Sequence, residues 1–182
     1  MLKKIVLSIC LIFGVSCQSS FALSLSLNPI DDLDAVLNST SVNDSNFLNV
    51  MNYPTNQRIS YLKFSLAGVP ANHIITSAKL SLYSNFTYGS NYPYRVTVNY
   101  VADDQWNDED GFTWDKKPKL INSIITSPVV QYSWITWDIK NHNFTDDIND
   151  GFISVALSVN LNNSVQFDSN NISTAYTRPI LM

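Results

Sequence analysis

Cysteine is almost missing from this sequence. The chain has two, Cys10 and Cys17, and both lie in an N-terminal segment that we expect to be removed on export. A mature chain without cysteine forms no disulfide, so its stability must come from a hydrophobic core. Residues 23–182 are enough for one domain with such a core, and we predict a single domain over this range.

Positive charge and long apolar runs are also scarce. Without Lys3 and Lys4, residues 23–182 contain nine basic and 15 acidic side chains, a formal charge of −6. The mature chain therefore lacks the basic field that draws proteins onto phosphate backbones, and we expect no nucleic-acid partner. No run of about 18 apolar residues follows residue 22, so we predict no membrane span in the mature chain.

The familiar motifs of catalysis are missing as well. The sequence has no Gly-x-Ser-x-Gly turn, no His-Glu-x-x-His and no glycine-rich phosphate loop. His73 and His142 each stand alone in predicted loops, where a histidine is usually solvated. A carboxylate pair of the glycosidase kind, Asp104 with Asp108 or Glu109, is the enzymatic alternative that remains. We predict that the protein is not an enzyme.

The first 22 residues have the three parts of a secretory signal peptide. Lys3 and Lys4 precede an apolar run over 5–15, and Ala22 ends a small-residue cleavage site. The run is too short for a bilayer core that needs roughly 20 residues. We predict cleavage after Ala22 and a secreted protein, in the periplasm, on the outer surface of a bacterium or outside it. Residues 14–17 distantly resemble a lipoprotein signal, which leaves lipidation of Cys17 as the alternative route.

Short alternating stretches after residue 23 predict an all-β chain. Apolar and polar residues alternate with period two over 58–66, 78–82, 94–100, 135–139 and 153–161. Each of these strands is expected to have one buried and one solvated face, with Lys63, Asn99, Ser154 and Ala156 on solvated faces. Sheets of this kind are usually antiparallel and pack face to face. We predict an antiparallel β-sandwich that is jelly-roll-like.

A series of short motifs then makes the pattern more specific. In order, they are Tyr61-Leu62-Lys63-Phe64, Val69-Pro70, Ile75-Thr76-Ser77-Ala78-Lys79-Leu80, Val98-Asn99-Tyr100-Val101, Asp104-Gln105-Trp106, Phe112-Thr113-Trp114 with Pro118, Trp137-Asp138-Ile139, Phe167-Asp168-Ser169 and Arg178-Pro179-Ile180-Leu181. From about residue 34 to the end this order resembles the DNRLRE-domain family. The sequence departs from the family pattern after Trp106, where Asn107 or Asp108 stands near a usual Glu, and at Ser169-Asn170-Asn171.

The resemblance implies a β-sandwich of secreted and cell-surface proteins. Part of that family is classified among carbohydrate-binding modules, with acidic polysaccharides such as alginate and methanochondroitin among the ligands. Trp106, Trp114 and Trp137 fall on positions of the family pattern, and we interpret them as anchors of the core or of loops.

Aromatic and amide side chains are the natural candidates for contact with a sugar. Aromatic faces suit the C–H side of a pyranose, and planar polar groups suit its hydroxyls. Tyr88, Tyr92 and Tyr94, with Asn91, lie in a predicted loop, and alternation places Trp134 opposite Trp137 on a solvated face. The alternative is that these rings pack their own loops.

An acidic stretch supplies candidate metal ligands. Asp103, Asp104, Asp108 and Asp110 are hard oxygen donors of the kind that Ca²⁺ takes, although a solvated acidic loop explains the same residues. Taken together, the sequence predicts a secreted, non-catalytic domain that binds an extracellular polysaccharide. A structural or adhesive protein with a partner in the surface matrix is the alternative.

Overall fold

The computed structural model describes residues 22–39, 44–70, 73–101, 103–107 and 112–182. The predicted signal sequence up to residue 21, with Cys17, lies outside these ranges, as do Asp108, Glu109 and Asp110. Within the described ranges, no helix is long and apolar enough to cross a membrane.

Strands make up most of the regular structure in these ranges. They are β1 (Asp31–Val36), β2 (Phe47–Tyr53), β3 (Asn56–Ser65), β4 (Lys79–Gly89), β5 (Arg95–Val101), β6 (Leu120–Pro128), β7 (Ser133–Asp138), β8 (Phe152–Val159), β9 (Asn163–Asp168) and β10 (Ile180–Leu181). A short helix, α1 (Thr145–Asp150), precedes β8, and a single 3-10 turn (Ala175–Thr177) precedes β10.

The strand order is that of a jelly roll. One sheet runs β2-β9-β4-β7 and the other runs β3-β8-β5-β6, with every ladder antiparallel. The β2–β3 hairpin joins the two sheets, while β1 adds to β3 and β10 adds to β4. The predicted antiparallel, jelly-roll-like β-sandwich is therefore confirmed.

The main core lies between the two sheets and follows the alternation that predicted it. Its fully buried members include Leu62 and Phe64 of β3, Val155 and Leu157 of β8, and Trp137 of β7. Side chains at every second position of each strand meet across the sandwich, as the period-two pattern requires. The expected extension of β8 to residue 161 is wrong, because β8 ends at Val159 and residue 161 is more than half exposed.

The outer face of the β3-β8-β5 side is not solvated, and here the sequence prediction is wrong. The segment that follows β5 folds back over it, so that Trp106 and Phe112 pack with Tyr61 in a second apolar cluster. The Trp106 indole N–H donates to the Ser154 hydroxyl at 3.1 Å, and the Tyr61 hydroxyl donates to the Pro118 carbonyl at 2.9 Å.

Residues expected on the solvated face are therefore buried. They are Lys63, Asn99, Ser154 and Ala156. Lys63 forms an ion pair with Asp31 in this position, 2.7 Å from Nζ to Oδ2, and it also donates to the Trp106 carbonyl. Of the three tryptophans interpreted as anchors, Trp106 and Trp137 are buried and Trp114 packs against the second cluster, which confirms that interpretation.

Two carboxylates of β1, Asp34 and Asp32, accept hydrogen bonds from backbone amides outside the β1–β3 ladder. Asp34 accepts the Asn49 N–H at 3.0 Å and the Ser60 hydroxyl at 2.7 Å. Asp32 accepts the Asn170 N–H at 2.6 Å. Burial raises the pKa of Asp32 to about 7, because the Asn170 N–H only partly offsets the loss of hydration and nearby aspartates oppose ionisation further.

Candidate functional site

The outer face of the β2-β9-β4-β7 sheet remains accessible, and it carries aromatic rings. Phe86 and Tyr88 of β4 are 46% and 64% exposed, and Trp134 of β7 is 41% exposed. The alternation that placed Trp134 on a solvated face is confirmed by this exposure. Large apolar rings rarely stay in contact with water without a functional reason when they are neighbours.

A β-bulge puts these rings in one row. Up to Ser84 the inward residues of β4 have even numbers, as Leu80 and Leu82 do, but the register with β9 shifts between Ser84 and Phe86. Asn85 is the extra residue, and after it Phe86 pairs with Gln166 on the outer face. A bulge of this kind re-aims the side chains that follow it.

Tyr83, Phe86 and Tyr88 consequently occupy three successive outward positions along β4. The Phe86 and Tyr88 rings are 6.4 Å apart and within 9° of parallel. Tyr83 pairs with Trp134 across the β4–β7 ladder, and their rings meet edge to face at 5.9 Å. We call these four side chains, Tyr83, Phe86, Tyr88 and Trp134, the aromatic face.

Sequence reasoning named Tyr88 and Trp134 but missed Tyr83 and Phe86. Unbroken alternation from Leu82 would turn Phe86 and Tyr88 into the core, and nothing in the sequence marks Asn85 as a bulge. Tyr88 also belongs to the end of β4 rather than to the loop that was predicted.

Fixed amide groups lie beside the rings. The Asn85 side-chain amide donates to Asp168 at 2.5 Å, and the Gln166 amide donates to the Asn49 side-chain carbonyl at 2.9 Å. These bonds link β4, β9 and β2 across the sheet and hold the planar groups in place. A fixed amide presents both a donor and an acceptor, as recognition of a hydroxyl requires.

The loop after β4 carries the other predicted contact residues. Asn91 is held by three hydrogen bonds. Its side-chain amide donates to the Leu161 carbonyl at 2.8 Å, its backbone N–H donates to the Asn163 side-chain oxygen at 3.2 Å, and its carbonyl accepts from the Asn163 side-chain amide at 2.9 Å. Tyr92 is 78% exposed and meets Tyr94 edge to face at 5.7 Å. Tyr94 is half-buried and packs against the main core, so its first role is to anchor the loop.

Tyr53 lies close to Tyr88 of the aromatic face and to Tyr94 of the loop after β4. Burial, and then the phenol groups of Tyr88 and Tyr94, raise the pKa of Tyr53. Its hydroxyl is buried and has no hydrogen-bond partner among the residues that the structure describes. Tyr53 is therefore a further polar group at this end of the sheet, and the sequence analysis gave it no role.

The predicted calcium ligands are only partly covered by the structure. Asp103 is exposed and accepts the Gln105 N–H at 3.0 Å, whereas Asp104 is half-buried. Burial raises the pKa of Asp104, against the effect of the Ser154 hydroxyl. Asp108 and Asp110 lie outside the described residues, as does Glu109 of the carboxylate pair. Within the described part of the chain, no three His, Cys, Asp or Glu side chains form a group that could hold a metal ion.

His142 is not solvated, contrary to the prediction. Its side chain is 9% exposed, its Nε2 lies 2.8 Å from Oδ2 of the fully buried Asp147, and its ring is 4.2 Å from that of Tyr100. His142 is buried because α1 places the Asp147 side chain against its ring. His73 is exposed, as expected.

A second surface feature lies on the side of the sandwich that the segment after β5 covers. Lys116, Lys117 and Lys119 line a depression of about 380 Å³ together with Asp103, Pro118 and Ile121. Lys117 stands 3.8 Å above the Trp114 ring, and burial lowers its pKa. These lysines had no role among the predictions from the sequence.

Comparison with known proteins gives the family. A search among curated proteins finds no significant match. The family model described as carbohydrate-binding module family 96 matches residues 32–182, a range that includes β2 to β10 and the whole aromatic face. The match confirms the carbohydrate-binding class expected from the sequence, and the resemblance to DNRLRE-domain proteins is compatible with it. The chain therefore belongs to carbohydrate-binding module family 96.

Proposed function

We propose that this protein is a secreted, non-catalytic module that binds an extracellular polysaccharide through the aromatic face. The observation that carries the proposal is the row of Tyr83, Phe86 and Tyr88 along β4, extended sideways by Trp134. Membership of a carbohydrate-binding module family supports the ligand class.

The exposure of the rings favours a ligand that covers them. Phe86 has no polar atom in its side chain, and nearly half of its surface is in water. Covering apolar surface is worth about 25 cal/mol per Å². The C–H face of a pyranose is an apolar surface with a hydroxyl rim, which suits rings that stand beside fixed amides.

The row suits a chain of sugars better than a single one. Outward residues of a strand recur about every 6.5 Å, so three consecutive rings and Trp134 extend over more than one sugar unit. Asn85 and Gln166 lie at the edge of this row, within reach of hydroxyls on the same chain. An extended polysaccharide lying along β4 would contact all of these groups at once.

Export is proposed from the N-terminal pattern. Lys3, Lys4, the apolar run and Ala22 favour cleavage to give a chain that starts at Leu23. N-terminal sequencing of the exported protein tests this: Leu23 is the expected first residue, and a lipid-modified Cys17 would show the alternative route.

Affinity electrophoresis tests binding. The exported protein should be retarded in gels that contain its polysaccharide, and Phe86→Ala or Tyr88→Ala should weaken binding about tenfold, or ~1.4 kcal/mol. Tyr176→Ala is the matched control, because Tyr176 is 81% exposed but lies on the 3-10 turn before β10.

Thermal unfolding of each variant confirms that the fold survives. If the two β4 variants bind as tightly as the wild type, the ligand does not lie on the aromatic face and the proposed site is wrong. Absence of binding to every glycan would favour a structural or adhesive protein instead.

A further inference from the structure

The turn between β6 and β7, residues 129–132, contains a tyrosine with a strained backbone. Tyr132 has a φ of 58°, in the left-handed region that is unfavourable for any residue with a Cβ and most of all for a bulky one. Among the described residues, the other non-glycine positions with positive φ are Asn38 and Asn162, and asparagine tolerates this conformation. A large aromatic ring thus stands at a position where the backbone favours asparagine or glycine.

Hydrogen bonds to the bulge of β4 hold the turn in this conformation. The Tyr132 N–H donates to the Ser84 carbonyl at 2.7 Å, and the Gln131 side-chain amide donates to the Asn85 carbonyl at 3.2 Å. Val129, at the start of the turn, is buried in the main core. The surrounding structure therefore fixes the backbone of Tyr132, as it must wherever such strain persists.

The Tyr132 ring gives the core nothing in return for this strain. It is 68% exposed and belongs to neither of the two apolar clusters. Because packing of the ring does not offset the cost of the backbone, a structural role does not account for tyrosine at this position. Strain that is kept without a gain in packing is typical of sites that contact a ligand.

The position of Tyr132 is next to the aromatic face. Ser133 pairs with Ser84 in the β4–β7 ladder, so Tyr132, one residue earlier, lies level with the bulge at Asn85. Tyr132 also precedes Trp134 by two residues, roughly 6.5 Å along an extended chain. The turn consequently adds a ring on the side of Trp134 that lies towards the bulge.

We infer, on the basis of the proposed function, that Tyr132 is a further sugar-stacking residue and that it extends the aromatic face from β7 onto the β6–β7 turn. A glycan that covers Trp134 would continue over Tyr132 with a neighbouring sugar unit. The contact is made with the C–H face of a pyranose, which neutral and acidic sugars both present. Because the turn fixes the backbone of this residue before the ligand arrives, binding has less of the chain to order.

The test compares affinity and stability in the same variants. Tyr132→Asn removes the ring and suits the left-handed backbone, whereas Tyr132→Phe keeps the ring. Tyr176→Asn is the matched control, because Tyr176 is 81% exposed on the 3-10 turn before β10. Affinity electrophoresis of the exported protein would use gels that contain alginate, polygalacturonate, xyloglucan or galactomannan, and Phe86→Ala would be run beside the other variants.

The expected result is that Tyr132→Asn changes affinity and stability in opposite directions. On a glycan that retards the wild type, Tyr132→Asn should bind about five- to tenfold more weakly, while Tyr132→Phe and Tyr176→Asn should stay within about twofold of the wild type. The thermal midpoint of Tyr132→Asn should rise by about 2–4 °C, since asparagine relieves the backbone strain. A residue that only supports the fold would lose stability when its ring is removed.

Three results would overturn the inference without touching the proposed function. They are binding by Tyr132→Asn as tight as that of the wild type while Phe86→Ala binds weakly, a fall in the thermal midpoint of Tyr132→Asn, and a loss of affinity in Tyr132→Phe as large as in Tyr132→Asn. Absence of retardation on every glycan would instead refute the proposed function and the inference together.

Discussion

The substitution Asp32→Asn should make the stability of this protein less sensitive to pH. Asp32 lies in β1, is 5% exposed, and accepts the Asn170 N–H. Burial raises its pKa from 3.8 to about 7, and the charges of Asp44, Asp34 and Asp31 add to that effect. An asparagine keeps an acceptor for the N–H and removes the charge that burial disfavours.

The sign and the size of this pH effect follow from the difference between the folded and unfolded pKa values of Asp32. The folded state holds the Asp32 proton to a higher pH than the unfolded state, so the contribution of this group to stability is complete below pH 3.8 and is lost as the pH rises to about 7. At about 1.4 kcal/mol per pKa unit, the loss has a ceiling of about 4 kcal/mol.

Urea unfolding at a series of pH values between about 4 and about 8 measures this loss of stability. The difference in unfolding free energy between Asp32→Asn and wild type should be near zero at the acid end and should grow to about 2–4 kcal/mol in favour of the variant at the alkaline end. Groups that titrate identically in both proteins cancel in this difference. The exposed Asp115→Asn is the control and should give a flat difference. A flat difference for Asp32→Asn as well would refute the reasoning.

Three further substitutions test the framework that holds the site. Trp137→Ala should cost about 3–5 kcal/mol in urea unfolding because the ring is fully buried between the sheets, and a loss below ~1 kcal/mol would mean that the core repacks around it. Lys63→Ala should cost about 3–5 kcal/mol because it leaves Asp31 without its ion-pair partner, and a smaller loss in Lys63→Ala combined with Asp31→Ala would confirm the coupling. Gly89→Ala should lower the thermal midpoint, since the residue has φ 146° and a Cβ would lie 2.3 Å from the Asn163 side-chain oxygen; an unchanged midpoint would contradict the close approach.

Alternation predicted the inner faces well and the outer faces badly, for a physical reason. The stretch over β8 has an apolar residue at every second position, and any strand with this pattern must bury that face. The other face of β8 carries Ser154 and Ala156, small residues that suit water or a covering segment equally. Trp106 and Phe112, which cover them, are separated from β8 by about 40 residues, so only long-range folding decides the outcome.

The aromatic face shows the same division. Trp134 could be placed from its own strand, because Ile135 and Trp137 fix the phase of β7. Phe86 could not, because the phase of β4 changes at Asn85 and the change is made by pairing with β9, about 80 residues further on. Tyr92 and Asn91 were named from composition alone, and their positions depend on Asn163 and Leu161 across the loop.

The sequence by itself determined the all-β class, the antiparallel sandwich and the carbohydrate-binding family, since period-two patterning and ordered short motifs are local properties of the chain. Only the tertiary structure decided which sheet face stays open and which rings form a row on it. That decision depends on the segment folded over β3, β8 and β5 and on the bulge at Asn85, and both arise from contacts between residues far apart in the sequence.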